Sequence, residues 1–387
     1  MIRQTFIFLL GSLIVLISSC NTGTNSTSNI DHKVDSVLSK MTLKEKIGQL
    51  NQLTGVGELT GPMDEGHAYY KDQVKAGMVG SMLNVNGVKY TREVQRIAVE
   101  ETRLGIPLIF GYDVIHGYKT IFPVPLGESA SWDLPLIEKS ARIAAIEASA
   151  AGQHWTFAPM VDISRDARWG RIMEGAGEDP YLGSMIAKAR VKGFQGEDLS
   201  QANTLVACAK HFAAYGAPIA GKDYNTVDMS KVELFDTYLP PFKAIVDEGV
   251  GTFMSAFNDL NGVPATGNAF LMDDILRERW NFDGFVVSDW SSIQEMIPHG
   301  YAKNKYEAGK LAMNAGIDMD MMGHVYDTQM DSLLESGAVT EKQIDEAVKR
   351  ILKIKFKMGL FDDPYKYCDQ QKEDSLLLHP RHREFAR

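Results

Sequence analysis

Gly284-Phe285-Val286-Val287-Ser288-Asp289-Trp290 decides how the rest of the chain is read. Phe285, Val286 and Val287 make an unbroken apolar run with two β-branched members, as expected of a strand covered on both faces, and the run ends on an ionisable side chain. An amphipathic stretch at 271–280 precedes it and another at 306–315 follows. Working outward, the alternation recurs. Candidate strands at 78–85, 107–112, 156–163, 205–210, 251–257 and 317–321 are spaced by helical patterns that include 134–151, 182–195 and 231–248. Strand then helix, repeated in this way, predicts parallel βα units. An open doubly wound sheet normally carries a Gly-rich phosphate turn after its first strand, and no GxGxxG or Walker-type loop follows any of these strands. The expected fold is therefore α/β, a (β/α)8 TIM-like barrel over residues 31–361, with an irregular or missing strand. The eighth strand is not evident: it lies in 325–334 or is replaced by irregular chain.

Both ends of that domain carry helix signals. Val34, Val37, Leu38 and Met41 have helical spacing, Thr42 and Glu45 have capping-box spacing, and Ile47, Leu50 and Leu53 continue an apolar face. Thr340 opens a last helix through Ile344, Val348, Ile351, Leu352 and Ile354, ending near Gly359. Residues 362–387 are charged and broken, and read as a linker to a further domain.

Across 387 residues, 44% hydrophobic side chains are enough for a full core, and a formal charge of −10 argues against a nucleic-acid partner, whose phosphates need a basic face. No nucleic-acid partner is expected, and a neutral substrate is. Arg3, the apolar run 6–17, then Ser18, Ser19 and Cys20 read as an export signal, since the run is shorter than the roughly 18 to 20 residues of a membrane span. The stretch 17–20 resembles a bacterial lipobox with Cys20 as the lipidated residue. That implies a cleaved signal at 1–19, a polar tether at 20–30, and an exported protein anchored by lipid in the periplasm or outer membrane. Cys208 and Cys368 lack metal or disulfide spacing and are expected as buried free thiols.

Active sites of βα barrels form at the C-terminal ends of the strands. Those ends carry Asp113 and His116, the arginine-rich 165–171, Lys210 and His211, Asn258 and Asp259, and Asp289 with Trp290. A carboxylate beside an aromatic face suits a pyranose, whose C–H faces stack while the carboxylate works at the anomeric carbon. Asp289 as a cap for the next helix is the plainer alternative. Asp113 is suited to hold two neighbouring hydroxyls, or to pair with Arg171 or Lys210. Arg165 or Arg168 is expected to bridge to Asp166, Glu174 or Glu178. On a regular strand Lys210 and His211 would face opposite ways, so both reach the pocket only if the strand ends there. His154, His211 and His299 are scattered, without HExxH or an i, i+4 pair, so no metal or other cofactor is expected.

Taken in order, FGYDVIHG, FAPMVDISRDARWGR, KHFAAYG and GFVVSDW resemble glycoside hydrolase family three, particularly its periplasmic β-glucosidase branch, over residues 40–364. The resemblance implies a retaining, exo-acting β-glucosidase with Asp289 as nucleophile and a covalent glycosyl-enzyme. It implies Asp113 as the carboxylate holding the terminal glucose, Arg171, Lys210 and His211 as further sugar contacts, and Met254 and Trp290 as lining. Expected partners are β-glucoside oligosaccharides or aryl glucosides. The hexosaminidase branch's acid motif KHFPGHG is absent, since 210–216 reads KHFAAYG. In the glucosidase branch the acid/base is a glutamate from an α/β sandwich domain after the barrel, so a C-terminal domain or second chain is implied, without which activity is expected to be crippled. Alternatives are a noncatalytic sugar-binding lipoprotein, a β-xylosidase of the same family, and an aldolase forming a Schiff base at Lys210.

Overall fold

The computed structural model describes residues 22–55 and 67–387. Cys20 and residues 1–19 lie outside the described residues. The helix Thr22–Leu38 begins inside the stretch expected as a tether.

Eight short parallel strands occupy the centre: β1 (Asn51–Thr54), β2 (Ser81–Leu83), β3 (Ile109–Tyr112), β4 (Trp155–Thr156), β5 (Cys208–Phe212), β6 (Thr252–Ser255), β7 (Phe285–Val287) and β8 (Asp320–Met321). Continuous ladders run β8–β1–β2–β3–β4 and β5–β6–β7. Single bridges complete the ring: Trp155 with Val206 and Met160 with Lys210 on one side, and Val287 with Met319 on the other. The chain is thus a closed (β/α)8 barrel.

Its eighth strand is not in 325–334, which forms the helix Tyr326–Glu335. The strand that escaped notice is β1, whose Leu53 continues the helical spacing of Ile47 and Leu50. The helix Leu43–Gln49, closed at its start by the Thr42–Glu45 capping box, stops two residues before β1. Asn51 and Gln52 tolerate burial because both are bonded: Asn51 Nδ2 donates to Ile47 O at 3.0 Å, and Gln52 Nε2 to Ser81 Oγ at 2.8 Å.

Side chains fill the barrel. Trp155, fully buried, donates Nε1–H to Thr252 Oγ1 at 2.8 Å and meets Phe157 and Phe285 edge-on at 4.8 and 5.1 Å. Phe253, the next residue of β6, packs outward on Phe212, Phe242 and Phe282. By strand alternation Met254 shares the interior face of Thr252. Gly284 leads into β7 where a Cβ would lie 2.0 Å from Gly251 O, so any side chain would wedge β7 off β6. Beside β7 and two residues before β8, Asp318 accepts Val286 N–H at 2.7 Å, Arg277 Nη2 at 2.6 Å and Arg350 Nη1 at 2.8 Å. One buried carboxylate therefore ties the strand to helices on the outer layer.

Residues 362–387 pack onto the barrel instead of standing clear of it. Tyr367 is buried edge-on to His154 at 4.6 Å, and Phe385 meets Phe122 at 6.0 Å. Glu147, fully buried on the helix Leu134–Ala150, joins this tail to the loop after β3. Its carboxylate accepts Thr120 N–H at 2.7 Å, Thr120 Oγ1 at 2.6 Å, Lys119 N–H at 3.1 Å and Leu378 N–H at 3.0 Å, with His382 Nδ1 also at 3.0 Å. Burial pushes its pKa up, but these bonds prevail and hold it below the usual glutamate range.

Replacing Glu147 with Gln turns one acceptor oxygen into a donor facing donors, and should lower unfolding stability by about 2–3 kcal/mol. The sign of the pH dependence follows from a depressed carboxylate: its contribution is present above about pH 4.3 and fades as pH falls through the folded value. Denaturant titrations of both proteins at pH 7 and pH 3.5 should show the gap narrowing at the lower pH. Equal stability at pH 7 refutes the hub.

Candidate active site

Five strands deliver the mouth. Asp113 follows β3, Asp162 follows β4, Lys210 and His211 end β5, and Asp289 follows β7, while the short turn Ile172–Glu174 brings in Arg171 and Glu174. Met254, on β6, is buried beneath them.

Lys210 and His211 both serve this end of the barrel. The ladder to β6 shifts register between Ala209 and Phe212, and such irregularities re-aim side chains. Lys210 Nζ donates to Asp113 Oδ1 at 3.1 Å and lies 3.9 Å from Glu174 Oε2. Arg171 grips Glu174 with two bonds, Nε at 2.7 Å and Nη2 at 3.0 Å. Burial works against the Lys210 cation, but Asp113 and Glu174 outweigh it and its pKa is raised. A Schiff base needs a neutral amine, so the aldolase reading loses its nucleophile.

Asp289 is not a helix cap. The helix Ser292–Glu295 has Ser291 at its cap position with no side-chain bond. Asp289 Oδ1 accepts the N–H of Trp290 at 2.7 Å, whereas Oδ2, buried and without a hydrogen bond, lies 3.5 Å from His211 Nε2. Burial pushes its pKa up to about 6 against the pull of Arg171 and Lys210. Trp290, half-buried, packs on the core beside it.

Other rim residues are structural. Arg168 pairs with Asp166 at 2.6 Å on the surface, as expected, while Glu174 goes to Arg171. His116 Nδ1 contacts Phe122 O at 2.9 Å, and Asp259 accepts from Thr226 at 2.8 Å within a small hairpin. Cys208 and Cys368 are buried free thiols.

Two acids, Asp162 and Glu295, escaped the sequence reading, and a third, Glu174, was expected only as a partner of Arg165 or Arg168. Asp162 and Glu174 lie inside or next to the quoted motifs, and Asp162 ends an apolar run as Asp289 does, so the same rule could have found it. Glu295 follows Asp289 by six residues. Burial, with the charge of Asp289 added, pushes Glu295 up to about 7. Its Oε2 is buried without a hydrogen bond. Tyr224 also feels the charges of Glu295 and Asp289.

Residues 42–354 match the glycosyl hydrolase family 3 N terminal domain. The chain belongs to glycosyl hydrolase family 3. Among family 3 proteins it is similar to the periplasmic beta-glucosidase of Salmonella typhimurium, 42% identical over 89% of this chain and 44% of that protein. A beta-xylosidase of Formosa agariphila is 35% identical over 98% of this chain and 49% of its own. Among solved family 3 structures, the beta-glucosidase of Listeria innocua in complex with isofagomine superposes with a TM-score of 0.86 at 43% identity, covering 92% of this chain and 50% of that one. The chain spans about half the length of the relatives it matches.

In this family 3 barrel the charge on Asp289 depends on the cations across the mouth. A 13C titration of the aspartate carboxyls should show one group with a midpoint near 6. In Lys210→Met that midpoint should rise, because removing a cation destabilises the anion. An unchanged midpoint refutes the assigned electrostatics.

Proposed function

We propose that this chain is the nucleophile-bearing barrel of an exported, lipid-anchored, retaining β-glycosidase that acts on terminal β-D-glucosyl residues. The observation carrying this reading is the state of Asp289: a carboxylate oxygen at the barrel mouth, buried, free of hydrogen bonds and flanked by two cations. A structural aspartate in such a place would be expected to use both oxygens.

In this reading a sugar ring lies against Trp290. Asp113, steadied by Lys210, accepts bonds from neighbouring hydroxyls, with Arg171 and His211 as further contacts. Asp289 Oδ2 attacks C1 as the aglycone leaves, and water later cleaves the resulting ester with net retention. A proton must reach the leaving oxygen, a contribution of roughly 10²- to 10⁴-fold in general acid catalysis. We assign that group outside residues 1–387, as the family resemblance implies. The name of the Salmonella relative supports export and a glucoside substrate. The Formosa relative supports a second reading, β-xylosidase.

Incubation with a 2-deoxy-2-fluoroglucoside bearing a good leaving group should label Asp289, read by peptide mass spectrometry, and Asp289→Asn should abolish labelling. No adduct in the wild type refutes the nucleophile. Tested by itself, this chain should hydrolyse dinitrophenyl β-glucoside at least about 10²-fold better than cellobiose, because the better leaving group needs little protonation. Comparable rates on both would place an acid within residues 1–387. Faster turnover of the xyloside than of the glucoside would favour the second reading.

A further inference from the structure

Asp162 stands behind the mouth, 3% exposed, and reaches it only through His211. Its Oδ2 meets that residue twice, at the backbone N–H (2.9 Å) and at ring Nδ1 (2.8 Å). The ring's other nitrogen, Nε2, faces Asp289 Oδ2 at 3.5 Å. Tyr215 holds the ring edge-on at 5.1 Å. Asp162 Oδ1, His211 Nε2 and Asp289 Oδ2 are all buried without a hydrogen bond.

An imidazole between two carboxylates has a proton-counting problem. Neutral, it carries one N–H, so one ring lone pair must face a negative oxygen. A second proton removes that repulsion, and three places can take it. On Asp289 it disables the attack proposed above. On the ring it makes an imidazolium, which burial opposes first and the charges of Arg171 and Lys210 oppose further. Asp162 remains.

We infer that Asp162 is a positioning residue that carries this proton, donating Oδ2–H to His211 Nδ1 so that Nε2–H points at Asp289 and keeps the nucleophile ionised. The inference rests on Asp289 being that nucleophile. The step balances within the trio: as a proton passes from Asp289 Oδ2 to Nε2, another passes from Nδ1 to Asp162 Oδ2. Net charge is unchanged and no proton need cross to solvent beneath a bound sugar.

The surroundings favour this direction. Arg171 and Lys210 both stabilise an anionic Asp289, with Asp113 opposing. At Asp162 burial dominates, pushing it up to about 7; the backbone N–H groups of His211 and Tyr215 and the charge of Arg171 pull the other way, and Glu174 adds to the rise. Glu295 and Tyr224 also face Asp289, and neither brings a positive charge.

The test uses the full chain labelled with 15N-histidine. At pH 7 the ring nitrogens of His211, assigned by their loss in His211→Gln, should report the Nε2–H tautomer. In Asp162→Asn the amide oxygen must accept the backbone N–H, which also pins Nδ1–H. The tautomer should invert, and the acid limb of the fluoroglucoside labelling rate should move up by about one pH unit. Asp162→Glu should restore the limb. A wild-type Nδ1–H tautomer, an imidazolium, or an unmoved limb in Asp162→Asn overturns the inference. Absence of any label in the wild type sinks the nucleophile assignment instead, and the nitrogen signals still report the tautomer.

Discussion

Two cations hold the mouth of this barrel together, and they are outnumbered. Arg171 is committed to Glu174 by a two-pronged bond, and Lys210 is shared between Asp113 and Glu174. Asp289 is a third anion on the same rim, close enough to be stabilised by both cations and bonded to neither. A charge left over in this way is costly to fold around. In the function proposed above, its partner is a substrate atom that acquires positive character in the transition state.

The same arrangement accounts for the division of labour around the rim. Paired acids are poor nucleophiles because their lone pairs are occupied, and they make good anchors for hydroxyl groups. Asp113 and Glu174 fall in that class, whereas Asp289 does not. Burial pushes the pKa values of Asp162 and Glu295 up, to about 7. Electrostatics thus separates five acids of similar chemistry into anions paired with cations, one unpaired anion and two acids raised by burial.

Much of this was legible in the sequence, and the failures have physical reasons. Apolar runs ending on polar residues located seven strands, because a parallel strand buried on both faces leaves a continuous hydrophobic signature. β1 left none: Asn51, Gln52 and Thr54 are polar and survive burial through hydrogen bonds that only the folded ring supplies. Strand alternation set Lys210 and His211 on opposite faces, and the register shift after Ala209 undid it. The tail read as unpatterned because its anchors, Tyr367, Leu378, His382 and Phe385, follow the contour of the barrel and no helical period. Asp162 was in plain view, but its meaning depends on a ring at the neighbouring strand end in space and 49 residues away in sequence.

Asp318 gives the molecule an unusual freedom. Because β7 is fastened from behind, to the guanidinium groups of Arg277 and Arg350, the position of Asp289 is set by bonds made away from the mouth. The loops around the opening can therefore vary while Asp289 stays in register, much as a lathe keeps its spindle while the tooling changes. Conversely, a lesion at Arg350, on the outer wall, would loosen Asp289 with the opening intact.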